Sequence, residues 1–127
     1  MIDRKKFRKK LSITQGRHLR IINQRIQIFP EKNWKNELKL FNLTKLKFIE
    51  WVVSEDNFKK NPICKINGYK IINKYLKKNK VKCRSIDLDF IVKENPLKFS
   101  KKKIKTFIKK IENISLNATK IGIKYLI

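Results

Sequence analysis

Apolar residues alternate with polar ones in three stretches of the chain, and this alternation is the spacing of a half-buried β-strand. The stretches cover residues 19–29, 86–92 and 121–127. A fourth segment, near residues 46–53, is rich in side chains that favour strands. The pattern therefore predicts four strands.

Three other segments carry apolar residues every three or four positions, which gives a helix one buried side. They lie near residues 34–43, 70–80 and 100–113. Ser100 is a candidate N-cap for the last helix, which we expect to end near Asn113 and whose apolar stripe is Ile104, Phe107, Ile108 and Ile111. Asn67-Gly68 is a strong turn signal and predicts a tight turn before the second helix.

These elements together predict an α+β fold with a small mixed sheet and two or three helices. A chain of 127 residues has room for one core. We assign residues 1–20 to a basic N-terminal arm and residues 21–127 to a single small α+β domain that closes with a helix and a strand.

The charge balance of the chain predicts a polyanionic partner. Lys and Arg number 34 against 10 Asp and Glu, a formal net charge of +24, so the folded chain repels itself unless a polyanion neutralises it. No stretch approaches the roughly 18 apolar residues of a membrane span, which argues against a membrane partner. Nucleic acid is the partner that fits best, and 41% hydrophobic residues are enough for a modest core.

Composition also bears on origin. Lys (28), Asn (12) and Ile (20) make up nearly half of the chain, and Ala118 is the only alanine. Codons for the first three residues are rich in A and T, so the pattern suggests an AT-rich genome such as that of a protist mitochondrion or plastid. AT-rich nuclear, bacterial and large-virus genomes would produce the same pattern.

Arginine is informative against this background, because mutation pressure favours lysine wherever only a positive charge is needed. Five of the six arginines lie within the first 25 residues, and the sixth is Arg84. A guanidinium grips phosphate bidentately, which an ammonium does not. Together with the lysines of two predicted helices, the candidate RNA-binding residues are Arg4, Lys5, Lys6, Arg8, Lys9, Lys10, Arg17, His18, Arg20, Arg25, Lys74, Lys77, Lys78, Lys80, Arg84, Lys101, Lys102, Lys103, Lys105, Lys109 and Lys110.

Other interpretations of these features stay open. Lysines on a helix are also ordinary solvent-exposed residues, and Trp34, Trp51 and Tyr69 either stack on unpaired bases or fill the core. Asp87, Asp89 and Lys93 share one face of the predicted strand over residues 86–92, an arrangement that some metal-dependent nucleases use. Two cysteines and one histidine cannot complete a four-ligand zinc site, and no Gly-rich phosphate loop or Ser-His-Asp arrangement is evident. We therefore expect a protein that is not an enzyme and has no cofactor.

Several short motifs resemble those of ribosomal proteins. Lys6-Phe7-Arg8-Lys9, Gly16-Arg17, Asn67-Gly68 before a helix, and the residues from Lys80 to Ser85 occur in the order typical of the large-subunit protein sixteen family. The Gly-rich loop of that family is absent, and residues 94–127 match nothing in it. Ile66-Asn67-Gly68 is also similar to a turn in the small-subunit protein four family.

The resemblance implies an architectural role in an AT-rich mitochondrion. The expected protein is a ribosomal subunit that pins rRNA, located in the matrix and encoded by the organelle. Its expected partners are rRNA and neighbouring ribosomal proteins, without a membrane or a small-molecule substrate. The alternatives are a DNA-binding or packaging protein of an AT-rich genome and a metal-dependent nuclease.

Overall fold

The computed structural model describes residue 6 and residues 10–20 and 27–127 of the chain. Within this part the fold is α+β, as expected, with four strands and four α-helices. The strands are β1 (Ser12–Thr14), β2 (Phe48–Val52), β3 (Lys82–Asp87) and β4 (Tyr125–Leu126). The helices are α1 (Trp34–Thr44), α2 (Tyr69–Asn79), α3 (Asp89–Glu94) and α4 (Lys101–Ile121). None of these helices is long and apolar enough to cross a bilayer.

The described strands form one sheet in the order β1-β2-β3-β4, and each neighbouring pair is parallel. The expected mixed sheet is therefore parallel throughout this part of the chain. Parallel neighbours need a crossover rather than a hairpin, and the helices between the strands supply it. α1 contacts α2, and α2 contacts α4, so these three helices cover the same face of the sheet.

The core lies between that face and the helices. Ile49 and Trp51 of β2 belong to the same buried cluster as Leu38 of α1, Ile72 of α2 and Ile114 of α4. The indole N–H of Trp51 donates to Asn61 Oδ1 at 3.0 Å. A buried polar group that is left without such a partner costs about 1–3 kcal/mol.

Two helix predictions and one strand prediction are confirmed. α1 and α2 lie within one residue of the ranges expected for them, and β2 falls inside residues 46–53. The turn at Asn67-Gly68 is also present, with Asn67 in the left-handed region at φ 57°. A Cβ on Gly68 would lie 1.6 Å from the Pro62 carbonyl oxygen, so only glycine fits there.

The strand expected over residues 86–92 is wrong. β3 ends at Asp87, and residues Asp89–Glu94 form α3, so the alternation of Ile86, Leu88 and Phe90 crosses the boundary between two elements. All three side chains are buried, although Val92 is 82% exposed. Buried residues on two consecutive elements thus have the same two-residue spacing as the buried residues of a single strand.

The last helix is longer than expected. Ser100 caps α4 as predicted, accepting a hydrogen bond from the Lys103 amide, but the helix continues past Asn113 to Ile121. Its buried side extends through Ile114 and Asn117. Asn117 Nδ2 donates to the carbonyls of Ile63 and Lys65, both at 2.8 Å, so this asparagine stays inside the helix and anchors the loop before α2.

The two ends of the expected domain differ from the prediction. Ser12–Thr14 is a strand of the sheet, although we assigned residues 1–20 to an arm. The strand expected over residues 121–127 is limited to Tyr125–Leu126. Most of the strand expected over residues 19–29 lies outside the described residues.

Candidate nucleic-acid interface

Exposed lysines stand at the start of every strand of the sheet. Because the strands are parallel, their amino ends meet at a single edge, which we call the amino edge. Lys47 precedes β2, Lys82 begins β3, Lys124 precedes β4, and Lys10 lies two residues before β1. We call these four residues the edge lysines.

Backbone hydrogen bonds fix the spacing of this edge. The Lys82 amide donates to the Lys47 carbonyl at 2.7 Å, and the Lys124 amide donates to the Arg84 carbonyl at 2.8 Å. Neighbouring strands lie roughly 4.8 Å apart, so the backbone positions of the four edge lysines extend roughly 15 Å across the sheet. The turns that lead into β2, β3 and β4 contain no Asp or Glu.

Two further lysines at the amino edge adopt an unusual backbone conformation. Lys45 and Lys80 follow α1 and α2 with φ of 58° and 55°, in the left-handed region that Gly or Asn usually occupies. A cation at a helix C-terminus is favoured by the helix dipole, typically by about 0.3–1 kcal/mol. Stabilisation of the helix C-termini therefore explains Lys45 and Lys80 without nucleic-acid binding. It does not explain the edge lysines, which lie at the starts of strands.

A groove of about 400 Å³ opens beside the amino edge, between α2 and the turn after α4. We call it the basic groove. Its cations are Lys77, Lys82, Arg84 and Lys124, and its other lining residues are Asn73, Leu76, Val81, Cys83, Ile121 and Gly122. The groove thus combines an apolar floor with four positive charges.

Arg84 is held in place by an aromatic ring. Its guanidinium carbon lies 3.8 Å from the centre of the Phe48 ring, a cation–π contact between neighbouring strands. A guanidinium fixed in this way loses little further freedom when it binds an anion. The contact therefore prepares Arg84 to hold a phosphate.

Acidic residues are concentrated at the opposite edge, where the strands end. Glu55 and Asp56 follow β2, while Asp87 ends β3 and Asp89 begins α3. Lys110 Nζ contacts Glu94 Oε1 at 2.6 Å in the same region. Ligands of parallel α/β sheets usually bind at this carboxyl edge. Here the acids are mixed with exposed lysines such as Lys59, Lys60 and Lys93, and Lys60 and Lys93 pair with Glu31 and Asp56. The turns that lead into β2, β3 and β4 at the amino edge contain lysines and no acid.

Most predicted site residues that the structure describes are exposed. Lys74, Lys77, Lys78 and Lys80 lie on or just after α2, and Lys101, Lys102, Lys103, Lys105 and Lys109 lie on α4. Lys6, Lys10, Arg17 and Arg20 are also exposed. Lys110 is half-buried against Glu94 and is the candidate least suited to bind RNA. Arg4, Lys5, Arg8, Lys9 and Arg25 lie outside the described residues.

His18 does not belong to the exposed basic surface. Its ring packs edge-on against Phe41 with ring centres 4.7 Å apart, and burial lowers its pKa. The imidazole is therefore neutral at pH 7 and offers no charge to a phosphate. Three lysines of the amino edge were not among the predicted RNA-binding residues, namely Lys47, Lys82 and Lys124, and their common signal is a position at or just before the start of a strand.

The structure also decides the role of the two tryptophans. Trp51 is fully buried, and Trp34 packs edge-on against it with ring centres 5.5 Å apart. Both tryptophans therefore belong to the core, which was the alternative to stacking on unpaired bases. Tyr69 is half-buried, and its amide donates to Asn117 Oδ1.

The geometry required for a nuclease on one strand face is absent. Asp87 ends β3, whereas Asp89 and Lys93 belong to α3, so the three residues do not share a strand face. In the described ranges no group of three or more His, Cys, Asp or Glu side chains is placed to hold a metal ion. Cys64 and Cys83 are free, and burial raises the pKa of each thiol to about 12.

One buried acid stands apart from both edges. Glu37 of α1 is fully buried, and its Oε1 accepts the Gly16 amide at 2.6 Å. Within the described part of the chain its Oε2 has no hydrogen-bond partner, and neither has Nε2 of the buried Gln15. Burial raises the pKa of Glu37 to about 7, although the amides of Gly16 and His18 act in the opposite direction. This carboxyl group ties the turn after β1 to α1.

In comparisons with known proteins, the chain matches no protein-family model, no curated protein and no solved structure.

Proposed function

We propose that this protein is an architectural RNA-binding subunit of a mitochondrial ribosome and that its amino edge lies against rRNA. The observation that carries the proposal is the distribution of charge around the sheet. Exposed lysines stand at the start of all four strands, and no acid lies in the turns that lead into β2, β3 and β4, whereas acids and lysines are mixed at the other edge. A polyanion bound at the amino edge offsets the net charge of +24.

Structured RNA suits this surface better than a small ligand does. The cations are distributed over roughly 15 Å instead of converging on one point. Such a row neutralises successive phosphates, and each neutralised phosphate releases condensed counterions. The protein then reads shape and backbone more than base sequence. Neighbouring ribosomal proteins would complete the surroundings of the domain, in the matrix of the organelle.

The proposed function is tested by comparing an RNA hairpin with a DNA hairpin of the same sequence and the same number of phosphates. Both carry a terminal fluorophore, and binding is followed by anisotropy over a range of salt concentrations with Mg²⁺ present. We expect tighter binding to RNA, a steep decline of affinity with salt, and intact nucleic acid at the end. Stronger binding to DNA would instead support a packaging protein, and Mg²⁺-dependent cleavage would support a nuclease.

A further inference from the structure

We infer that the basic groove binds the sugar-phosphate backbone of an unpaired RNA strand in preference to an RNA duplex. The inference rests on the proposed function, because it names the RNA element that one part of the amino edge would take. It concerns the four cations Lys77, Lys82, Arg84 and Lys124 and the apolar floor between them.

The shape of the groove favours a single RNA strand over a duplex. It is concave, with α2 on one side and the turn from Gly122 to Lys124 on the other. A duplex presents its phosphates on a convex surface, so it contacts only the rims of such a groove. A single strand is thinner and enters it, as strands do in positively charged grooves that follow a nucleic-acid backbone.

The side chains of the groove favour a sugar-phosphate backbone as the ligand. Arg84 lines the groove, and its guanidinium lies over Phe48, which is outside the lining, so we expect it to bind one phosphate bidentately where the groove meets β2. Lys77 lines the groove from α2 and Lys124 lines it from the segment before β4, so we expect them to bind the phosphates on either side of the one held by Arg84. Leu76, Val81 and Ile121 provide apolar surface for a ribose. No aromatic side chain is among the lining residues, so we expect little dependence on base identity.

The test compares a single-stranded RNA with a hairpin that has the same number of phosphates. We expect the wild-type chain to bind the single strand more tightly. Replacing the two flanking lysines, Lys77→Gln with Lys124→Gln, should weaken single-strand binding by roughly 20-fold at about 0.1 M salt and flatten its salt slope by about 1.4, from about 0.7 per lost phosphate contact.

A matched control removes the same charge elsewhere. Lys32→Gln with Lys59→Gln changes two exposed lysines near the carboxyl edge. We expect this pair to affect the single strand and the hairpin equally and only weakly. Circular dichroism and the thermal midpoint of each variant check that the fold is unchanged.

A second variant blocks the groove without changing charge. Gly122 has φ 92°, and a Cβ placed on it meets no atom within 4 Å, so it faces open space at the groove. Asparagine tolerates the left-handed region better than other side chains with a Cβ. Gly122→Asn should therefore lower affinity for the single strand and leave hairpin binding as it is.

The outcomes separate this inference from the proposed function. If the wild type binds hairpin as tightly as single strand, or if the groove variants weaken both RNAs equally, the groove does not select unpaired RNA and the inference is overturned. Binding of RNA at the amino edge would still stand. If the wild type binds neither RNA, the proposed function itself fails.

Discussion

Removing the four edge lysines is expected to abolish most RNA binding while leaving the fold intact. The variant carries Lys10→Gln, Lys47→Gln, Lys82→Gln and Lys124→Gln. Each lysine that loses a phosphate contact removes about 0.7–0.9 from the salt slope, so the slope should become shallower by about 3. At about 0.1 M salt the corresponding loss of affinity is roughly thousandfold. Anisotropy titrations over a salt series measure both quantities.

The control for this prediction keeps the change in net charge and moves it away from the amino edge. Lys32, Lys39, Lys59 and Lys65 are all exposed, and their replacement by glutamine also removes four charges. If binding depends on the location of the cations, this control should retain a slope close to that of the wild type. Equal losses in the two variants would show that total charge alone matters and would contradict the role of the amino edge.

Replacing Glu37 by glutamine is expected to stabilise the protein at pH 8 by about 3 kcal/mol. The carboxyl group has a pKa of about 7 in the fold and 4.5 as its ordinary value, so the folded state holds the proton more tightly. The contribution of Glu37 to the free energy of unfolding of the wild type is therefore largest below pH 4.5. That stability is lost as the pH rises to about 7, at roughly 1.36 kcal/mol per pKa unit.

Glutamine is neutral at every pH and has nearly the same shape, so Glu37→Gln should remove this part of the pH dependence. Denaturant unfolding at pH 4, 6 and 8 measures the difference between variant and wild type. His18 and Asp87 also have shifted pKa values, but both are present in the two proteins and their effects cancel in the difference. A difference that does not grow between pH 4 and pH 8 would contradict the shifted pKa.

The periodicity of the sequence predicts α1 and α2 because each of them has one buried side. β2 is predicted by its strand-favouring side chains and is buried on both faces. The same reasoning fails at β3, where Ile86, Leu88 and Phe90 are buried on a strand end, a connecting residue and a helix. It fails again at the end of α4, where we expected the helix to end near Asn113. The side chain of Asn113 donates to the carbonyl of Cys64 at 2.7 Å, 49 residues away in the chain, and the helix continues to Ile121.

Local sequence signals also disagree on whether the strands of this sheet are parallel or antiparallel. A strand, helix, strand order is typical of a parallel sheet, and β2, α2 and β3 follow it. The turn at Asn67-Gly68 is also a hairpin signal and points toward an antiparallel pair, although in the structure it leads into α2. The residues of a single turn therefore do not determine whether the strands of the sheet are parallel or antiparallel.

The composition of the chain predicts a polyanionic partner but not the surface that we propose for it. Lys47, Lys82 and Lys124 are far apart in the sequence and become neighbours only because their strands are parallel and adjacent. Candidates chosen from helical lysines and arginines include Lys77 and Arg84 of the groove. The remaining groove cations, Lys82 and Lys124, depend on the register of the sheet and are accessible only from the structure.

The most direct test of the central claim is to sediment a native organelle or cell lysate through a sucrose gradient, at low and at high salt, and to probe the fractions for this chain. We predict that the chain travels with one ribosomal subunit and remains there after the high-salt wash. A chain that stays at the top of the gradient, or travels with DNA, would contradict an architectural role in the ribosome.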